Sequence, residues 1–524
     1  QDELVSLAEW ASRTADGTLS DLAVQPTSEV WDEVSAEADL CTRVQCAFFD
    51  QCFLFKARRR AAEADVVVVN HHLLAADLAV RQASDNWEEA AVLPPYQRLI
   101  LDEAHHLEDV AASHLGTQVT SRGVQRLLGR FERNRKGLVP SLVMELSGRG
   151  DLLSRASLDL VRERLMPAIG DARRAAEQLF LRLHGLAEAG GGGQRRLTEE
   201  FEKDEVWEEG LRLELDALLS SFDQIKNQVE TVEDRLAQVE STERGDQLLQ
   251  EMRAVVRRLN SVSDGLNRTL RPSAGGDPTV RWIERSGAKR QHTQLSAVPL
   301  DLAPVLRQLL FERLETVVLT SATLAAGGEF DFLERRLGLA IAPSPVTIRE
   351  IFSSPFDYPS QCLFGIPDDF PDPREDEAAH DAALAQAVTD LAHAADGGLF
   401  VLFTSHAALR RAAQQLRGML DPRWPLLVQG ESSRDTLLRR FRDAGNAILL
   451  GTDSFWEGVD VRGDALSLVI IDKLPFAPPD DPVLAARIEH MKKQGRNAFM
   501  EYQLPRAIIA LKQGAGRLIR DETD

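Results

Sequence analysis

Six short runs of apolar residues, each rich in Val, Ile and Leu, stand out along the chain. They are Val66–Val69, Leu99–Leu101, Val317–Leu319, Leu399–Phe403, Ile448–Leu450 and Leu468–Ile471. Continuous apolar runs of this length are typical of strands that are buried on both faces of a parallel sheet. Helical patterns fill the intervals, so the sequence predicts an α/β fold in which an early and a late group of strands form two sheet domains.

A long insertion, residues 119–290, has a helical pattern instead. One part of it places apolar residues at alternating spacings of three and four, which is typical of a coiled-coil-like seam. The seam residues are Leu215, Leu218, Phe222, Ile225, Val229, Val232, Leu236 and Val239, and a shorter series comprises Leu158, Leu165, Ala172 and Leu179. Gly190–Gly193 separates the two and predicts a flexible connection. The pattern favours a helical bundle packed on itself, with a homodimeric coiled coil as the alternative.

The net charge of the chain is strongly negative, and the acidic residues are unevenly distributed. The 524 residues include 61 Lys and Arg against 82 Asp and Glu, for a net charge of -21. Segments 1–40, 198–216 and 368–381 alone carry charges of −9, −7 and −6. The rest of the chain is therefore near neutral, and the acidic total does not exclude nucleic acid as a partner. No apolar stretch approaches the roughly 20 residues that a membrane span needs.

The most informative short stretch follows the second apolar run. There, Asp102 and Glu103 stand side by side after Leu99–Leu101, and His105 comes two positions later. Adjacent carboxylates at a strand end suit magnesium-assisted phosphoryl transfer, in which one holds the metal through water and the other accepts a proton from the attacking water. A solvated helix cap is the alternative interpretation of so short a motif.

Polar residues also follow two later strands. The segment Thr320-Ser-Ala-Thr323 offers hydroxyls that could relay between a nucleotide site and a second ligand, although a Ser/Thr-rich turn or N-cap has the same composition. The segment Gly451–Asp460 includes Thr452, Trp456, Glu457, Gly458 and Asp460. Its glycines allow close backbone approach, and its acidic residues could contact a ribose or a metal-bound water.

The last motif is Gln513-Gly-Ala-Gly-Arg-Leu-Ile-Arg520. On a helix, Gln513, Arg517 and Arg520 would lie on one face. Two guanidinium groups on one face suit a γ-phosphate, as arginine fingers do. A pair of ordinary surface arginines is the alternative.

Three of the four cysteines lie close together. Cys41, Cys46 and Cys52 precede the first apolar runs, whereas Cys362 lies far away and is expected to be a buried apolar residue. The spacing lacks the tight pairs that are typical of structural zinc. Buried thiols, a zinc site and an iron–sulfur cluster all remain open on the cysteines alone.

In their order along the chain these motifs resemble those of superfamily 2 helicases, and more narrowly the iron–sulfur branch that includes XPD and bacterial DinG. Asp102–His105 resembles motif II, the DEAH box, and Ser321–Thr323 resembles motif III. Leu399–Ser405, Gly451–Asp460 and Gln513–Arg520 resemble motifs IV, V and VI. Connecting segments such as Ser354–Tyr358 and Lys473–Phe476 are also similar to DinG. The similarity extends over essentially the whole chain.

The resemblance implies two RecA-like parallel-sheet domains with an inserted iron–sulfur domain and an inserted helical arch domain. The implied boundaries are 1–65 for the iron–sulfur domain, 66–118 with 291–340 for the first RecA-like domain, 119–290 for the arch, and 341–524 for the second RecA-like domain. ATP and Mg²⁺ would bind between the sheets, and Cys41, Cys46 and Cys52 would hold a [4Fe-4S] cluster together with a fourth cysteine outside this chain.

The resemblance also implies roles for individual residues. Asp102 would position Mg²⁺ through water, and Glu103 would activate the attacking water, with His105 beside them. Arg517 and Arg520 would stabilise the transferring phosphate, and the remaining nucleotide contacts would come from Gln513, Glu457, Gly458 and Asp460. The residues expected to contact DNA are Arg58, Arg59, Arg60, Thr404, Ser405, Thr452 and Trp456. Base stacking is expected of some among Tyr358, Phe455 and Trp456.

The chain contains no G-x-x-x-x-G-K-[ST] phosphate loop and no Gly-Lys pair at all. In the family this loop lies upstream of the cluster cysteines, so we expect a fragment of a longer protein that is inactive alone. We expect the longer protein to be an ATP-dependent DNA helicase that moves 5′ to 3′ and acts in DNA repair or in the resolution of replication conflicts.

The expected partners are single-stranded and forked DNA and replication or repair proteins, with no membrane. A monomer in the bacterial cytoplasm, at the nucleoid, is expected. The alternative functions are a metal-dependent nuclease that uses Asp102 and Glu103, a catalytically dead scaffold that binds DNA or a partner, and an RNA-directed motor.

Overall fold

The computed structural model places most of the chain in two compact units. The N-terminal unit comprises Gln1–Arg98, His106–Leu302 and Arg313–Glu315, and the C-terminal unit comprises Leu99–His105, Ala303–Glu312 and Thr316–Asp524. The residues that the structure describes are 2–18, 22, 26–27, 30–31, 34–35, 41, 46, 48–133, 135–190, 193–198, 200–239, 242–271, 278–286, 292–343, 346–456, 461, 463–516 and 518–519.

The strands are short, except for two of eight residues each. They are β1 Arg98–Leu101, β2 Thr117–Thr120, β3 Gln194–Arg196, β4 Thr279–Ser286, β5 His292–Pro299, β6 Thr316–Leu319, β7 Leu399–Leu402, β8 Leu426–Val428, β9 Ile448–Gly451 and β10 Leu468–Ile471.

The helices of the first part of the chain are α1 Asp2–Ala11, α2 Phe53–Glu63, α3 His71–Ser84, α4 Leu107–Leu115, α5 Ser121–Phe131, α6 Leu138–Ser147, α7 Leu152–Leu160, α8 Met166–Ala189, α9 Arg212–Leu236 and α10 Glu243–Leu270. Those of the second part are α11 Ala303–Leu306, α12 Asp331–Leu337, α13 Tyr358–Gln361, α14 Glu377–Ala395, α15 His406–Met419, α16 Arg434–Ala444, α17 Asp453–Trp456, α18 Pro482–Lys493 and α19 Leu504–Ala515. In addition, Phe499–Gln503 forms a π-helical turn before α19.

In the N-terminal unit, the predicted apolar seam of α9 is buried. From Leu215 to Leu236 the predicted seam residues are all 5% exposed or less. They belong to one apolar core that also takes residues from α5, α6, α8 and α10. Because α9 packs against α8 and α10 of the same chain, the seam is used in a self-packed bundle.

The same unit contains a sheet that the helical pattern did not predict. Strands β2, β5, β4 and β3 lie in that order, and the three pairings are antiparallel. Ile283 on β4 and Leu295 on β5 join the helical core. Charged residues such as Arg281 and Glu284 interrupt the apolar pattern of β4, so the pairing partner, more than the pattern, defines this strand.

The prediction of a buried strand at Val66–Val69 is wrong. This segment has no strand pairing within the described residues, and Val66 and Val68 are 79% and 92% exposed. An apolar run becomes a strand only when a neighbouring strand completes its hydrogen bonds. In this structure the run is an extended lead-in to α3.

The C-terminal unit has a parallel sheet of the predicted kind, in the order β10, β7, β9 and β8. Alternate residues of β7 point to opposite faces. Leu399 and Val401 pack with α14 and α15, whereas Phe400 and Leu402 pack with α16 and α17. Burial of β7 and β9 on both faces explains their continuous apolar runs. The parallel sheet with helices on its faces confirms the α/β class.

Strands β1 and β6 form a separate pair. The prediction that these two strands are buried on both faces is wrong, because Ile100 and Val318 are 73% and 43% exposed. Glu315 donates its backbone N–H to Gln97, and Thr320 donates to Leu101. Both bonds advance along the chain together, so the two strands run in the same direction and end side by side.

Among the described residues, no helix is both long and apolar enough to cross a membrane.

Candidate active site

The ends of β1 and β6 bring two of the predicted motifs into contact. Thr320, directly after β6, donates from Oγ1 to Oδ1 of Asp102, directly after β1, over 2.9 Å. The backbone N–H of Glu103 donates to the same oxygen over 3.0 Å. Oδ1 accepts both bonds, which fix the carboxylate, and Oδ2 is the oxygen that could accept a hydrogen bond from a metal-bound water.

The backbone at Glu103 adopts an unusual conformation. Its φ of 49° lies in the left-handed region, which residues other than glycine enter at a cost of about 1 kcal/mol or more. The Glu103 side chain is 54% exposed, and its Oε2 accepts a hydrogen bond from Ser321 Oγ over 2.7 Å. The turn after β1 therefore presents this carboxylate to solvent while the hydroxyl of Ser321 holds one of its oxygens.

The imidazole of His105 connects this carboxylate to the last motif. Its Nδ1 lies 2.9 Å from Ser321 Oγ, and its Nε2 lies 2.5 Å from Gln513 Nε2. Because the Gln513 amide nitrogen can only donate, Nε2 of His105 accepts and Nδ1 carries the proton. That proton goes to Ser321 Oγ, whose own proton goes to Glu103.

The result is a continuous hydrogen-bonded series that runs from Gln513 through His105 and Ser321 to Glu103. Thr323 supports it, because its backbone N–H donates to Ser321 Oγ over 3.2 Å. Ser321 thus uses its one donor and both acceptor positions. The His105 side chain is only 7% exposed, and a buried imidazole that is hydrogen-bonded through both nitrogens keeps one orientation.

The helix that carries Gln513 ends sooner than predicted. Helix α19 stops at Ala515, and Leu518 and Ile519 are not helical. The prediction that one helical face continues to residue 520 is therefore wrong. Glycines at 514 and 516 lower the helix propensity at this point. Arg517 and Arg520 themselves lie outside the described residues.

The segment after β9 is mostly a packing element. Thr452 is 5% exposed and donates to Gln429 Oε1 from both its backbone nitrogen and its hydroxyl. Trp456 is 4% exposed and donates from Nε1 to the carbonyl of Phe403 over 3.2 Å. Phe455 is fully buried. The predicted DNA contacts of Thr452 and Trp456, and base stacking by Phe455, conflict with this burial, because a base needs an exposed ring face.

Two glycines permit this packing. A Cβ at Gly451 would lie 2.6 Å from Phe455, and one at Gly514 would lie 2.7 Å from the Trp456 ring. Glycine is therefore required at both positions for the close approach of α17 to its neighbours. The remaining predicted nucleotide contacts of this segment, Glu457, Gly458 and Asp460, lie outside the described residues.

The predicted contacts after β7 have different surroundings. Thr404 is half-buried, whereas Ser405 is exposed. Ser405 accepts from the backbone N–H of Ala408 over 3.2 Å and thereby caps α15. Tyr358 is 49% exposed, so its ring is open to stacking.

The three clustered cysteines lie in the N-terminal unit. Cys41, Cys46 and Cys52 are half-buried and free of disulfides. Cys46 and Cys52 are linked by successive turns, in which Phe49 donates to Cys46 and Cys52 to Phe49. Thiolates are the right donors for an iron–sulfur cluster. In the part of the chain that the structure describes, however, no three Cys, His, Asp or Glu side chains are arranged to hold a metal ion.

A basic helix follows Cys52 directly. Its arginines lie against aromatic rings, with Arg58 5.7 Å from the Phe55 centroid and Arg59 5.6 Å from the Phe49 centroid. Arg60 stands in the last turn of the same helix, α2. Guanidinium groups beside aromatic rings are the combination that single-stranded nucleic acid binding uses.

One buried polar cluster was missed at the sequence level. Asp77 and Arg81 on α3 are 0% and 1% exposed and form an ion pair of 2.7 Å. Asp77 also accepts from the backbone of Val92 and Leu93, and burial together with Asp77 raises the pKa of Tyr96. The spacing of four residues on a helix was the available signal. The cluster fixes the loop that leads into β1.

Comparisons with known proteins identify relatives over the whole length of the chain. Residues 388–524 match the helicase C-terminal domain family. The chain is 34% identical over 523 residues to the ATP-dependent DNA helicase YoaA of Escherichia coli (strain K12), covering 100% of this chain and 73% of that protein.

Two further relatives carry the name DinG. The chain is 31% identical over 521 residues to the ATP-dependent helicase DinG of Mycobacterium tuberculosis (strain ATCC 25177 / H37Ra), covering 99% of this chain and 69% of that protein. It is 30% identical over 534 residues to a protein of Bacillus subtilis (strain 168) named 3'-5' exonuclease DinG, of which it covers 55%. Similarity at this level over the whole chain shows that it belongs to the DinG/YoaA family of ATP-dependent DNA helicases.

Proposed function

We propose that this protein is an ATP-driven DNA translocase and helicase of superfamily 2. The observation that carries the proposal is the series Gln513–His105–Ser321–Glu103. It joins the segments that resemble motifs VI, II and III. A continuous bonded series between these segments offers a physical route by which a change at the nucleotide can reach the rest of the motor.

In the proposed reaction, Glu103 orients and deprotonates the water that attacks the γ-phosphate. Its exposed carboxylate and left-handed backbone support this role. Asp102, held by Thr320, would bind a magnesium-coordinated water through Oδ2. The metal, when bound, would neutralise charge that develops on the β- and γ-phosphate oxygens.

The His105 ring holds Ser321 in place through Nδ1 and is hydrogen-bonded to Gln513 through Nε2. The arginines proposed to contact the γ-phosphate are Arg517 and Arg520, and the nucleotide contacts proposed for the preceding motif are Glu457, Gly458 and Asp460. These assignments rest on the sequence resemblance. The proposed domain boundaries are those implied by the same resemblance.

We further propose that Cys41, Cys46 and Cys52 hold a [4Fe-4S] cluster with one additional cysteine. Three free, half-buried thiols in one segment support this, and the arrangement would have to tighten on cluster binding. Arg58, Arg59 and Arg60 beside it would contact the DNA backbone, and Thr404 and Ser405 would contact the strand on the C-terminal unit.

Movement in the 5′ to 3′ direction on single-stranded and forked DNA is the proposed mode of action. On the same basis, we propose that the protein is a monomer. It would act with repair or replication proteins in the bacterial cytoplasm, at the nucleoid. Membership of a family named for ATP-dependent DNA helicases supports the substrate.

The decisive experiment is strand displacement by protein made from the complete reading frame. A fork with a 5′ single-stranded tail should be unwound only when ATP and Mg²⁺ are present, and a fork with a 3′ tail should not. Labelled strands should keep their full length. Shortening of single strands without ATP would instead support the metal-dependent nuclease, and DNA binding without ATP hydrolysis would support the scaffold. Stimulation of the ATPase by RNA in place of DNA would support the RNA-directed motor.

A further inference from the structure

A glutamine at the end of β8 holds the residue that follows β9. The backbone N–H of Gln429 donates to the carbonyl of Leu450 over 3.1 Å. Its side-chain Oε1 accepts from the backbone N–H of Thr452 over 2.6 Å and from the Thr452 hydroxyl over 3.1 Å. Because β8 and β9 are paired in parallel, Gln429 and Thr452 lie at the carboxyl edge of the sheet, where α/β proteins bind their ligands.

The position of Thr452 depends on this one oxygen. Thr452 is 5% exposed, and a buried donor that loses its acceptor costs more free energy than the bond itself contributes. Since Oε1 of Gln429 takes both the N–H and the hydroxyl proton, it restrains the backbone and the side chain of Thr452 together. Gln429 itself lies in none of the segments that resemble helicase motifs.

Thr452 begins a short unit whose other end is also fixed. The backbone N–H of Phe455 donates to the Thr452 carbonyl over 2.7 Å, and the Phe455 ring fills the space that Gly451 leaves open. At the end of α17, Trp456 donates from Nε1 to the carbonyl of Phe403 over 3.2 Å. The helix therefore connects a residue held from β8 with a ring held at the end of β7.

The Trp456 ring packs directly on the helix that carries Gln513. A Cβ at Gly514 would lie 2.7 Å from this ring, so the ring is in close contact with the backbone of α19. The preceding residue, Gln513, is 9% exposed and hydrogen-bonded to His105. Groups packed at this density have no room to move independently. The placement of Trp456 therefore affects the placement of the Gln513 amide.

We propose that Gln429 is a positioning residue for ATP hydrolysis. It holds Thr452 and thereby α17, so that the Trp456 ring keeps Gln513 in place for its hydrogen bond with His105. The inference rests on the proposed function, because it takes the hydrogen-bonded series that begins at Gln513 to serve hydrolysis. It adds a residue that touches neither nucleotide nor DNA and acts only through the packing of α17.

DNA-stimulated ATP turnover by protein made from the complete reading frame tests the proposal. Gln429→Met keeps the length of the side chain but removes the acceptor, so kcat should fall by about 10-fold. The KM for ATP should stay within about a factor of two, because nucleotide binding is not altered. Gln429→Glu keeps an acceptor oxygen and should retain most of the wild-type kcat. Thr452→Val removes only the hydroxyl donor and should lower kcat by about 3-fold.

A double-mutant cycle tests the route to α19. Gln429→Met and Gln513→Ala disturb the same support, so kcat of the double variant should lie within about a factor of three of the Gln513→Ala value. Gln414 is exposed on α15 of the same unit, so Gln414→Met is the matched control and should leave kcat unchanged. Thermal unfolding of each variant distinguishes a lost contact from a lost fold, and Thr452→Val serves as the test if Gln429→Met does not fold.

Four results would overturn the inference while leaving the proposed function intact. They are wild-type kcat in both Gln429→Met and Thr452→Val, a raised KM for ATP with unchanged kcat, additive effects of Gln429→Met and Gln513→Ala, and a Gln429→Glu variant as slow as Gln429→Met. The last result would assign the effect to the amide nitrogen instead of Oε1. A wild type that does not hydrolyse ATP in the presence of DNA would refute the proposed function itself.

Discussion

The amide of Gln513 and the imidazole of His105 are hydrogen-bonded to each other, although 408 positions separate them in the chain. The bond fixes the proton of His105 on Nδ1 and so determines the direction of every donor from there to Glu103. A side chain near the end of the chain thus sets the hydrogen-bonding state of the residue proposed to activate water.

This relationship predicts that His105 and Gln513 act as one unit. His105→Ala and Gln513→Ala should each lower the DNA-stimulated ATP turnover by about 10-fold, and the double variant should lose little more, with a coupling of about 1 kcal/mol. Turnover numbers of the four proteins of this double-mutant cycle give the test. Gln414 is exposed on α15, so Gln414→Ala is the control and its effect should add to that of His105→Ala. Additive effects of His105→Ala and Gln513→Ala would contradict the proposed hydrogen-bonded series.

Glu103→Gln should abolish hydrolysis and preserve binding. The amide keeps the size of the side chain but cannot accept a proton, so ATP turnover should fall by about 100-fold or more. Affinity for single-stranded DNA should remain as in the wild type. Glu88→Gln, an exposed residue of the loop before β1, is the control. Turnover within a factor of two of the wild type would exclude Glu103 as the base.

The buried pair of Asp77 and Arg81 should be a large stability determinant. Arg81→Ala leaves a buried carboxylate without its ionic partner, which costs about 3–5 kcal/mol of unfolding free energy. Arg98→Ala removes an ion pair with Glu315 whose side chains are 80% and 64% exposed, and should cost less than about 1 kcal/mol. Urea unfolding of both variants gives the comparison. Equal losses would show that burial does not control the effect.

The N-terminal unit should contain a pH-sensitive helix pair. His72 Nδ1 and His114 Nε2 lie 3.1 Å apart between α3 and α4, and burial and then the charge of His72 lower the pKa of His114. Because the pKa is lower in the folded than in the unfolded chain, protonation favours unfolding. The stabilising contribution is present above the unfolded pKa, about 6.5, and is lost as the pH falls through the folded value.

Hydrogen exchange, corrected for intrinsic rates, checks this. Amides of α3 and α4 should lose protection as the pH falls below about 6.5, whereas those of α16, which contains no histidine, should not. His114→Gln should remove the pH dependence. Persistence of the loss in that variant would assign it to another group.

Iron content tests the cysteine assignment independently of activity. Protein made from the complete reading frame and purified without oxygen should contain iron, and Cys46→Ser should lose most of it because the hard hydroxyl is a poor replacement for a thiolate. Cys362→Ser is the matched control, since Cys362 is equally half-buried but lies in the other unit. Equal iron in both variants would argue against the cluster.

The sequence alone determined the features that depend on neighbours along the chain. The apolar pattern identified the seam of α9 and the strands β7, β9 and β10, of which β7 and β9 are buried and β10 is half-buried. Burial on a helix face or in a covered sheet leaves such a pattern in the sequence. The order of short motifs identified the family. Asp102, Glu103 and His105 could be predicted as site residues because a strand end followed by acidic residues is a local signal.

Only the tertiary structure decided the features that depend on distant partners. The same kind of apolar run is a strand at Leu399–Leu402 and an exposed lead-in at Val66–Val69, because a strand needs a neighbour to complete its hydrogen bonds. Trp456 is a core residue because Gly514 leaves room for its ring. The contact of Gln513 with His105 joins residues whose proximity no local pattern encodes.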